Sequence, residues 1–254
     1  MYNRCVLHLL LLFVADSLTA SSGEESPNNA DVTYLMFSQQ WSAGSCQGEF
    51  QDRCIQDHER NFWTIHGMWP SYDHGYPQFC NNTLHYNETA LKPIRSQLQR
   101  YWPSYTSEDS NPFWKHEWLK HGTCATSIPQ LSGISKYFGT TLGLYFQHNI
   151  TRYLEDSDIY PSFDRTYAVE DIEDALTDDL SGAVSFVCYE DEDYPEPLLA
   201  EIRMCLDTDL EPQDCQEGHS KCGRRVYYLP LDVQRGHKSW DFHLYFEHKQ
   251  DILQ

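Results

Sequence analysis

The sequence predicts a single α+β domain with a twisted, mainly antiparallel sheet flanked by helices. Segments rich in β-branched and aromatic residues, which favour strands, lie towards both ends of the chain, and a region with helical signals lies between them. The 254 residues allow one large domain or two small ones. Because no Gly/Ser-rich linker and no internal repeat divides the chain, we favour one domain.

Individual elements follow from the same signals. Strands are predicted over residues 32–41, 62–68, 183–189, 201–206, 225–231 and 240–246. Helices are predicted over residues 90–101 and 111–121 and, in one or two pieces, within 133–153, while residues 46–54 are expected to form a loop. Gly67 and Pro70 are expected to end the second strand, and Gly122 is expected to end the second helix.

The first 20 residues are typical of a secretory signal peptide. Arg4 gives a basic start, a mostly apolar run covers residues 6–14, and Ala20 is a suitable last residue before cleavage. That run is shorter than the roughly 20 apolar residues of a membrane-spanning helix. We expect a signal peptide over residues 1–20, a mature domain over residues 21–254, and a secreted protein without a membrane span.

An even number of cysteines remains after the signal peptide. They are Cys46, Cys54, Cys80, Cys124, Cys188, Cys205, Cys215 and Cys222. In a secreted chain this indicates disulfides formed in an oxidising compartment. Eight cysteines permit on the order of 100 pairings, so the residues alone leave the connectivity open.

Three Asn-x-Ser/Thr sequons also fit a secreted protein. They begin at Asn81, Asn87 and Asn149. Such sequons are acceptors for N-glycans on surface loops, so we expect a glycoprotein.

The formal net charge of −20 at pH 7 restricts the partners of the chain. A field of this sign repels nucleic acid and argues against a duplex-binding protein, but it allows an enzyme whose site is locally cationic. Many of the 12 histidines gain protons below about pH 6, which favours an acidic working compartment. The acidic clusters lack the loop register of a calcium site, so a solvated acidic surface is the simpler interpretation.

Two short blocks carry most of the chemistry in the sequence. Residues 113–124 are FWKHEWLKHGTC, and residues 62–70 are FWTIHGMWP. At 100° per residue, an arc of about 140° on one helix carries five side chains of the first block. These are Phe113, His116, Glu117, Lys120 and His121.

Three interpretations of these residues compete. A solvated helix face would use i,i+4 pairs such as Glu117 and His121, although the flanking aromatic residues favour a cleft. A zinc site would need histidines at i and i+4, whereas His116 and His121 are five residues apart. Metal-free phosphoryl transfer to the 2′-hydroxyl of RNA needs a base, an acid and a cation, which His66, the helix histidines and Lys120 can supply.

Both blocks resemble the two active-site segments of the ribonuclease T2 family of secreted acid endoribonucleases. Residues 64–70 match its Thr-Ile-His-Gly-Leu-Trp-Pro segment with Met68 in place of Leu, and residues 113–124 match the second segment. The order of the cysteines extends the resemblance across the mature chain, which is also similar to the omega-type secreted ribonucleases of parasitic flatworms. The resemblance implies cleavage of single-stranded RNA through a 2′,3′-cyclic phosphate, without a metal or organic cofactor. It implies no cleavage of DNA, which lacks the 2′-hydroxyl.

The resemblance also implies a role for each matched residue. His121 matches the general base on the 2′-hydroxyl and His66 the general acid for the leaving oxygen, and the two roles exchange for hydrolysis of the cyclic phosphate. Glu117 and Lys120 match the pair that stabilises the pentacoordinate phosphate. The matched substrate-binding positions are His116 for phosphate, and Trp69 and Phe113 for base stacking.

Family pairing of the cysteines would tether the helix to the first block. The implied disulfides are Cys46–Cys54, Cys80–Cys124, Cys205–Cys215 and, by what remains, Cys188–Cys222. One departure from the family is Ser71, where an Asp often helps to read the first base. Base preference therefore does not carry over, and Tyr72 and Tyr76 are candidates for additional stacking.

A second hypothesis comes from another functional class. A secreted glycoprotein could bind receptors through its glycans or its protein surface and act as an immunomodulator or a toxin, with incidental or lost ribonuclease activity. The intact histidine set favours the enzyme, and the two functions coexist if the protein enters other cells. We expect a monomer that acts outside the cell, in acidic endolysosomal compartments or in cells that take it up.

Overall fold

The computed structural model describes residues 32–73, 75–180, 182, 184–215 and 222–231. The expected signal peptide and the strand predicted over residues 240–246 lie outside these ranges. The described chain combines a mainly antiparallel sheet with helices, which confirms the predicted fold class.

The described strands form a five-stranded sheet and a separate pair. They are β1 (Tyr34–Gln40), β2 (Thr64–Ser71), β3 (Tyr167–Ala168), β4 (Val184–Tyr189), β5 (Leu198–Leu206), β6 (Pro212–Gln213) and β7 (Arg225–Val226). The main sheet has the order β2-β1-β5-β4, with β6 on β5, and every pair in it is antiparallel. β3 and β7 form a separate pair. The strand predicted over residues 225–231 ends at Val226, because Tyr227 bonds to the start of β5 instead.

The two faces of the sheet differ because side chains alternate along each strand. In β1, Leu35 and Phe37 are fully buried in the core, whereas Met36 and Gln40 line a cleft on the opposite face. The same alternation holds in β5, where Ile202 and Met204 join the core. The central strands therefore separate the hydrophobic core from the cleft.

Strand β2 carries a bulge at His66. Ser38 pairs with Gly67 and Gln39 pairs with Ile65, so His66 is the extra residue. A bulge re-aims a side chain, and here His66 lines the cleft although its neighbour Gly67 also faces it. The prediction that Gly67 and Pro70 end this strand is wrong. β2 is at the edge of the described sheet, where a proline removes no ladder hydrogen bond.

Aromatic side chains satisfy the outer edge of β2. Trp102 Nε1 donates to the His66 carbonyl at 2.9 Å, and Tyr137 Oη donates to the Met68 carbonyl at 2.8 Å. Tyr145 Oη donates in the same way to the carbonyl of Trp63, just before the strand, at 2.7 Å. Backbone groups that a neighbouring strand would have paired are thus bonded by side chains of the helical layer, which blocks edge-to-edge association.

The helices cover the sheet and one wall of the cleft. They are α1 (Ser42–Gln47), α2 (Arg95–Tyr101), α3 (Asn111–Lys120), α4 (Ile134–Gln147), α5 (Ile150–Asp156) and α6 (Val169–Leu180). The predicted loop at residues 46–54 begins inside α1. The helix predicted over 90–101 is a 3₁₀ segment (Glu88–Ile94) followed by α2, since Pro93 lacks the N–H that an α-helix needs there.

Four disulfides join the elements around the cleft. They are Cys46–Cys54, Cys80–Cys124, Cys188–Cys222 and Cys205–Cys215, the pairing that the family resemblance implies. Cys124 lies in the turn after α3, and Cys80 lies in the loop that follows β2. The second disulfide therefore ties the end of α3 to the segment that leaves β2.

Substitution of Gly67 tests how closely α3 approaches β2. A Cβ on Gly67 would lie 2.1 Å from Trp69 Nε1 and 2.4 Å from Glu117 Oε2, so both side chains would have to move. We expect Gly67→Ala to lower the free energy of unfolding by about 1–3 kcal/mol in urea denaturation. Gly143→Ala is the control, since its Cβ meets nothing within 4 Å. Equal stabilities of the two variants would show that α3 does not pack this closely.

Removal of the Cys80–Cys124 disulfide should be more destabilising than removal of Cys205–Cys215. The first spans 44 residues and the second 10, which correspond to about 4 and about 3 kcal/mol of loop-closure entropy in the unfolded chain. Urea denaturation of the two double Cys→Ala variants measures the difference. Peptide mapping without reduction checks the pairing, and free thiols at Cys80 or Cys124 would contradict it.

Candidate active site

A cleft of about 540 Å³ lies between the sheet and α3. It contains all seven residues that the two sequence blocks single out for catalysis or substrate binding. These are His66, Trp69, Phe113, His116, Glu117, Lys120 and His121. Residues that are 55 positions apart in the chain, such as His66 and His121, thus share one cavity.

The helix α3 presents its polar face to the cleft because its two tryptophans face the core. Trp114 and Trp118 are buried, and their indole N–H groups donate to the carbonyls of Trp102 and Leu84 at 2.7 and 3.1 Å. Packing of both indoles fixes the rotation of the helix about its axis. The helix ends at Lys120, one residue earlier than predicted, and His121 is its C-cap.

Gly122 follows the cap for a steric reason. A Cβ at this position would lie 2.4 Å from the ring of Trp118. The glycine therefore lets the chain turn tightly over the buried indole into the 3₁₀ turn Gly122–Cys124. This turn holds the His121 ring in the cleft.

Glu117 is a buried carboxyl at the centre of the site. It is 2% exposed, and Oε2 accepts a hydrogen bond from Trp69 Nε1 at 3.0 Å. Burial raises the pKa of Glu117 to about 7, against the opposing effects of His66, of the Trp69 hydrogen bond and of Lys120. The group is therefore largely uncharged in mildly acidic solution and can donate a hydrogen bond there.

His66 pairs with a carboxylate that sequence reasoning missed. Its Nδ1 lies 2.5 Å from Glu201 Oε1. Burial acts to lower the pKa of His66, but the charge and hydrogen bond of Glu201, with smaller contributions from Glu117 and Glu49, outweigh it, and the pKa is raised. The protonated form of the His66 imidazole is thus favoured.

His121 has the opposite environment. The residue is 5% exposed, and its Nδ1 is buried without a hydrogen-bond partner among the described residues. Burial, and then the positive charges of Lys120, His116 and His66, lower its pKa to about 3. His121 is therefore neutral and able to accept a proton above about pH 3, including mildly acidic solution in which His66 is charged.

His116 lies at the exposed side of the cleft. Partial burial, followed by the charges of Lys120 and His66, lowers the pKa of His116. Together with Lys120 it places cationic or hydrogen-bonding groups at a mouth that solvent can reach. A dianionic or monoanionic ligand would meet these groups first.

Aromatic rings surround the titratable groups. The ring centroid of Trp69 lies 5.0 Å from His66 and 5.5 Å from His121, and the Phe113 ring lies 6.2 Å from His66. Tyr76 lines the cleft, is 54% exposed and lies 6.5 Å from His121. These rings offer flat apolar surfaces beside the two histidines.

Two other candidates, at the last position of β2 and directly after it, take different positions. Ser71 lines the cleft, but it is buried and its hydroxyl donates to the Trp69 carbonyl at 3.2 Å. Tyr72 is outside the cleft lining, and its backbone pairs with Gly75 in a tight turn. Of the two tyrosines proposed for stacking, only Tyr76 therefore reaches the cavity.

The far end of the cleft and its floor come from residues that sequence reasoning did not single out. They include Gln40, Glu49, Phe50, Ser104, Tyr105 and Thr106. Two others lie in β5: Glu201, which is hydrogen-bonded to His66 behind the cleft lining, and Arg203, which lines the cleft. A signal for the last two exists in the sequence, since Glu201 and Arg203 are alternate charges within the apolar strand β5. Charges in the middle of such a strand need buried partners, which marks them as candidates for a site.

The three sequon asparagines lie on the surface. Asn81, Asn87 and Asn149 are all exposed, and each side-chain oxygen accepts a local backbone N–H at 2.9–3.1 Å. Asn149 caps the N-terminus of α5 in this way. Their exposure makes all three accessible to a glycosylating enzyme.

No described helix is long and apolar enough to cross a bilayer. Within the same residues, no group of three or more His, Cys, Asp or Glu side chains is arranged to hold a metal ion. The acidic clusters within the described ranges thus do not converge on a cation site.

Comparison with known proteins identifies the family of this chain. The model of the Ribonuclease T2 family matches residues 32–215. Ribonuclease Oy of Magallana gigas is 36% identical over 210 residues, which cover 79% of this chain and 98% of that protein. Ribonuclease DdI of Dictyostelium discoideum is 35% identical over 210 residues, covering 82% and 89%.

Solved structures show the same architecture. RNase NT in complex with 5′-AMP superposes with a TM-score of 0.71 at 26% identity, covering 80% of this chain and all of that chain. The RNase-related protein from Calystegia sepium gives a TM-score of 0.69 at 28% identity, with the same coverage. The chain belongs to the ribonuclease T2 family and is an endoribonuclease.

Proposed function

We propose that the protein is a secreted endoribonuclease that cleaves single-stranded RNA by histidine acid–base transesterification through a 2′,3′-cyclic phosphate. The observation that carries the proposal is the opposite bias of two histidines in one cleft. In mildly acidic solution, His121 is neutral and His66 is protonated. Pairs of titratable groups whose environments push their pKa values apart are suited to the base and acid roles.

The first step uses both groups at once. Neutral His121 accepts the proton of the 2′-hydroxyl as its oxygen attacks phosphorus and forms the P–O2′ bond. The P–O5′ bond breaks, and His66 gives its proton to the leaving 5′-oxygen. His121 is then protonated and His66 neutral, so the roles exchange when water opens the cyclic phosphate.

The remaining residues of α3 stabilise the transition state. Lys120 brings a positive charge to the phosphate oxygens, and His116 binds them from the exposed side. Protonated Glu117 donates a hydrogen bond to an equatorial oxygen, and the Trp69 N–H keeps its carboxyl in place. Trp69, Phe113 and Tyr76 stack the bases, which holds single strands with little sequence preference.

Several features support secretion and an acidic site of action. Four disulfides need an oxidising compartment, and the signal peptide expected over residues 1–20 would deliver the chain to it. The exposed sequons Asn81, Asn87 and Asn149 fit N-glycans. Because the cleft holds a complete acid–base set, it favours the enzyme over a receptor-binding glycoprotein without activity.

The His121→Ala variant tests the proposed mechanism. Wild-type protein should cleave a fluorescent single-stranded RNA in the presence of EDTA, and the variant should lose about 10²–10⁴-fold in kcat, because it lacks the base. His85→Ala, which changes an exposed histidine away from the cleft, should retain full activity. A matched RNA with one 2′-deoxy nucleotide should be resistant at that position. Cleavage there, or full activity of His121→Ala, would contradict the mechanism.

The pH profile should be that of an acid enzyme. Activity requires neutral His121, so kcat/KM should fall only towards pH 3 on the acid side. Above about pH 7, Glu117 becomes an anion that repels the phosphodiester, and His66 loses its proton once the pH passes its raised pKa, so kcat/KM should fall again. Initial rates measured in constant-ionic-strength buffers provide the test. A kcat/KM that rises steadily through pH 8 would show that these groups are assigned wrongly.

A further inference from the structure

Glu201 is a buried carboxylate behind His66, and the proposed mechanism gives it no role. It lies in the middle of β5 and is 1% exposed. Oε1 lies 2.5 Å from His66 Nδ1. Oε2 accepts hydrogen bonds from Ser38 Oγ at 3.1 Å and from Arg203 Nε at 2.9 Å, and Arg203 Nη2 lies 2.7 Å away. Contacts from three strands hold this carboxylate in one position.

These contacts keep Glu201 ionised in spite of its burial. Burial alone would raise its pKa, but the charges and hydrogen bonds of His66 and Arg203 hold the pKa well below the usual range. Arg203 also lies over the Trp69 ring, 5.2 Å from its centroid, so its position is fixed from a second side. Because Arg203 makes the carboxylate a poor base, Glu201 does not take the proton of His66 outright.

The same pair fixes the orientation of the imidazole. An ionised carboxylate only accepts hydrogen bonds, so His66 Nδ1 must carry its proton towards Glu201. The other ring nitrogen, Nε2, is then left for the cleft, and the ring is 21% exposed. The bulge at His66 supplies the backbone direction, and Glu201 supplies the side-chain direction.

Other charged groups around His66 are less directly placed. Glu117 on α3 and Glu49, which follows α1, favour its protonated form at longer range. His116 and His121 are cationic neighbours when protonated. Among these carboxylates, only Glu201 has a direct hydrogen bond to the imidazole within the described structure.

We propose that Glu201 is the positioning residue of the general acid: it aims His66 Nε2 at the leaving 5′-oxygen and keeps the imidazole charged until the P–O5′ bond breaks. The inference rests on the proposed function, because it requires His66 to be the acid. The proton passes from Nε2 to the 5′-oxygen, while Glu201 stays ionised throughout. Glu201 therefore supports the acid without touching the substrate.

A change of leaving group isolates this role. A dinucleotide has a poor leaving group, the 5′-alkoxide, and needs the acid. A nucleoside 3′-(4-nitrophenyl phosphate) with the same base has a good leaving group and needs only the base, His121. We expect Glu201→Gln, which keeps the shape and removes the charge, to lower kcat on the dinucleotide by about 10- to 100-fold. It should leave kcat on the nitrophenyl ester within about threefold of wild type.

The pH profile gives an independent readout. Loss of the Glu201 charge lowers the pKa of His66, so the alkaline fall of kcat/KM on the dinucleotide should move to lower pH in Glu201→Gln. Glu88→Gln is the matched control, since it removes another arginine-paired carboxylate far from the cleft lining and should behave as wild type. Retained activity on the nitrophenyl ester also shows that the variant is folded.

Two results would overturn the inference. Equal losses on both substrates would make Glu201 a general structural support of the site, and no loss on either would deny it any role. Failure of the proposed function is a separate result, because His66→Ala would then cleave the dinucleotide as fast as wild type. In that case the acid is another group.

Discussion

The edge strand β2 is the element on which the site depends. Its outer carbonyls are bonded by Trp102 and Tyr137, and its inner edge pairs with β1, so the bulged backbone at His66 is held from both sides. A rigid bulge places the imidazole in the cleft, and the missing side chain of Gly67 lets Glu117 and Trp69 approach within hydrogen-bond distance of each other. The Cys80–Cys124 disulfide then ties the end of α3 to the segment after this strand. The positions of His66, Trp69 and Glu117 thus all depend on the backbone of β2.

Burial acts on the two histidines with different results because their neighbours differ. At mildly acidic pH, His66 lies against an ionised carboxylate and is charged. His121 lies beside cations, its buried Nδ1 has no partner within the described part of the chain, and it is neutral. The net charge of −20 is therefore a poor guide to the site, where local pairs decide the protonation of each group. Glu117 follows the same rule: its pKa is about 7, so in acidic solution it is uncharged and does not repel the phosphate.

Patterns within short segments of the sequence predicted the features that depend on neighbouring residues alone. The 3.6-residue period placed Glu117 and Lys120 on one face of α3, and β-propensity located β1 and β2 within a few residues. What the sequence could not provide depends on contacts between distant segments. Glu201 becomes a partner of His66 only because β2 and β5 lie on either side of β1 in the sheet. The sequence of neither strand specifies this order. The bulge likewise arises from pairing register, and the disulfide connectivity was implied by the family resemblance rather than by the cysteine spacing.

Measurement of the charge states of His66 and His121 by NMR in the resting enzyme is the most direct test of this mechanism. Protein labelled with ¹⁵N-histidine, with resonances assigned through His66→Asn and His121→Asn variants, reports the protonation of each ring nitrogen. At about pH 5.5, between the two pKa values, His66 should show both nitrogens protonated and His121 should show one. A neutral His66 beside a charged His121 at this pH would reverse the acid and base and contradict the proposed first step.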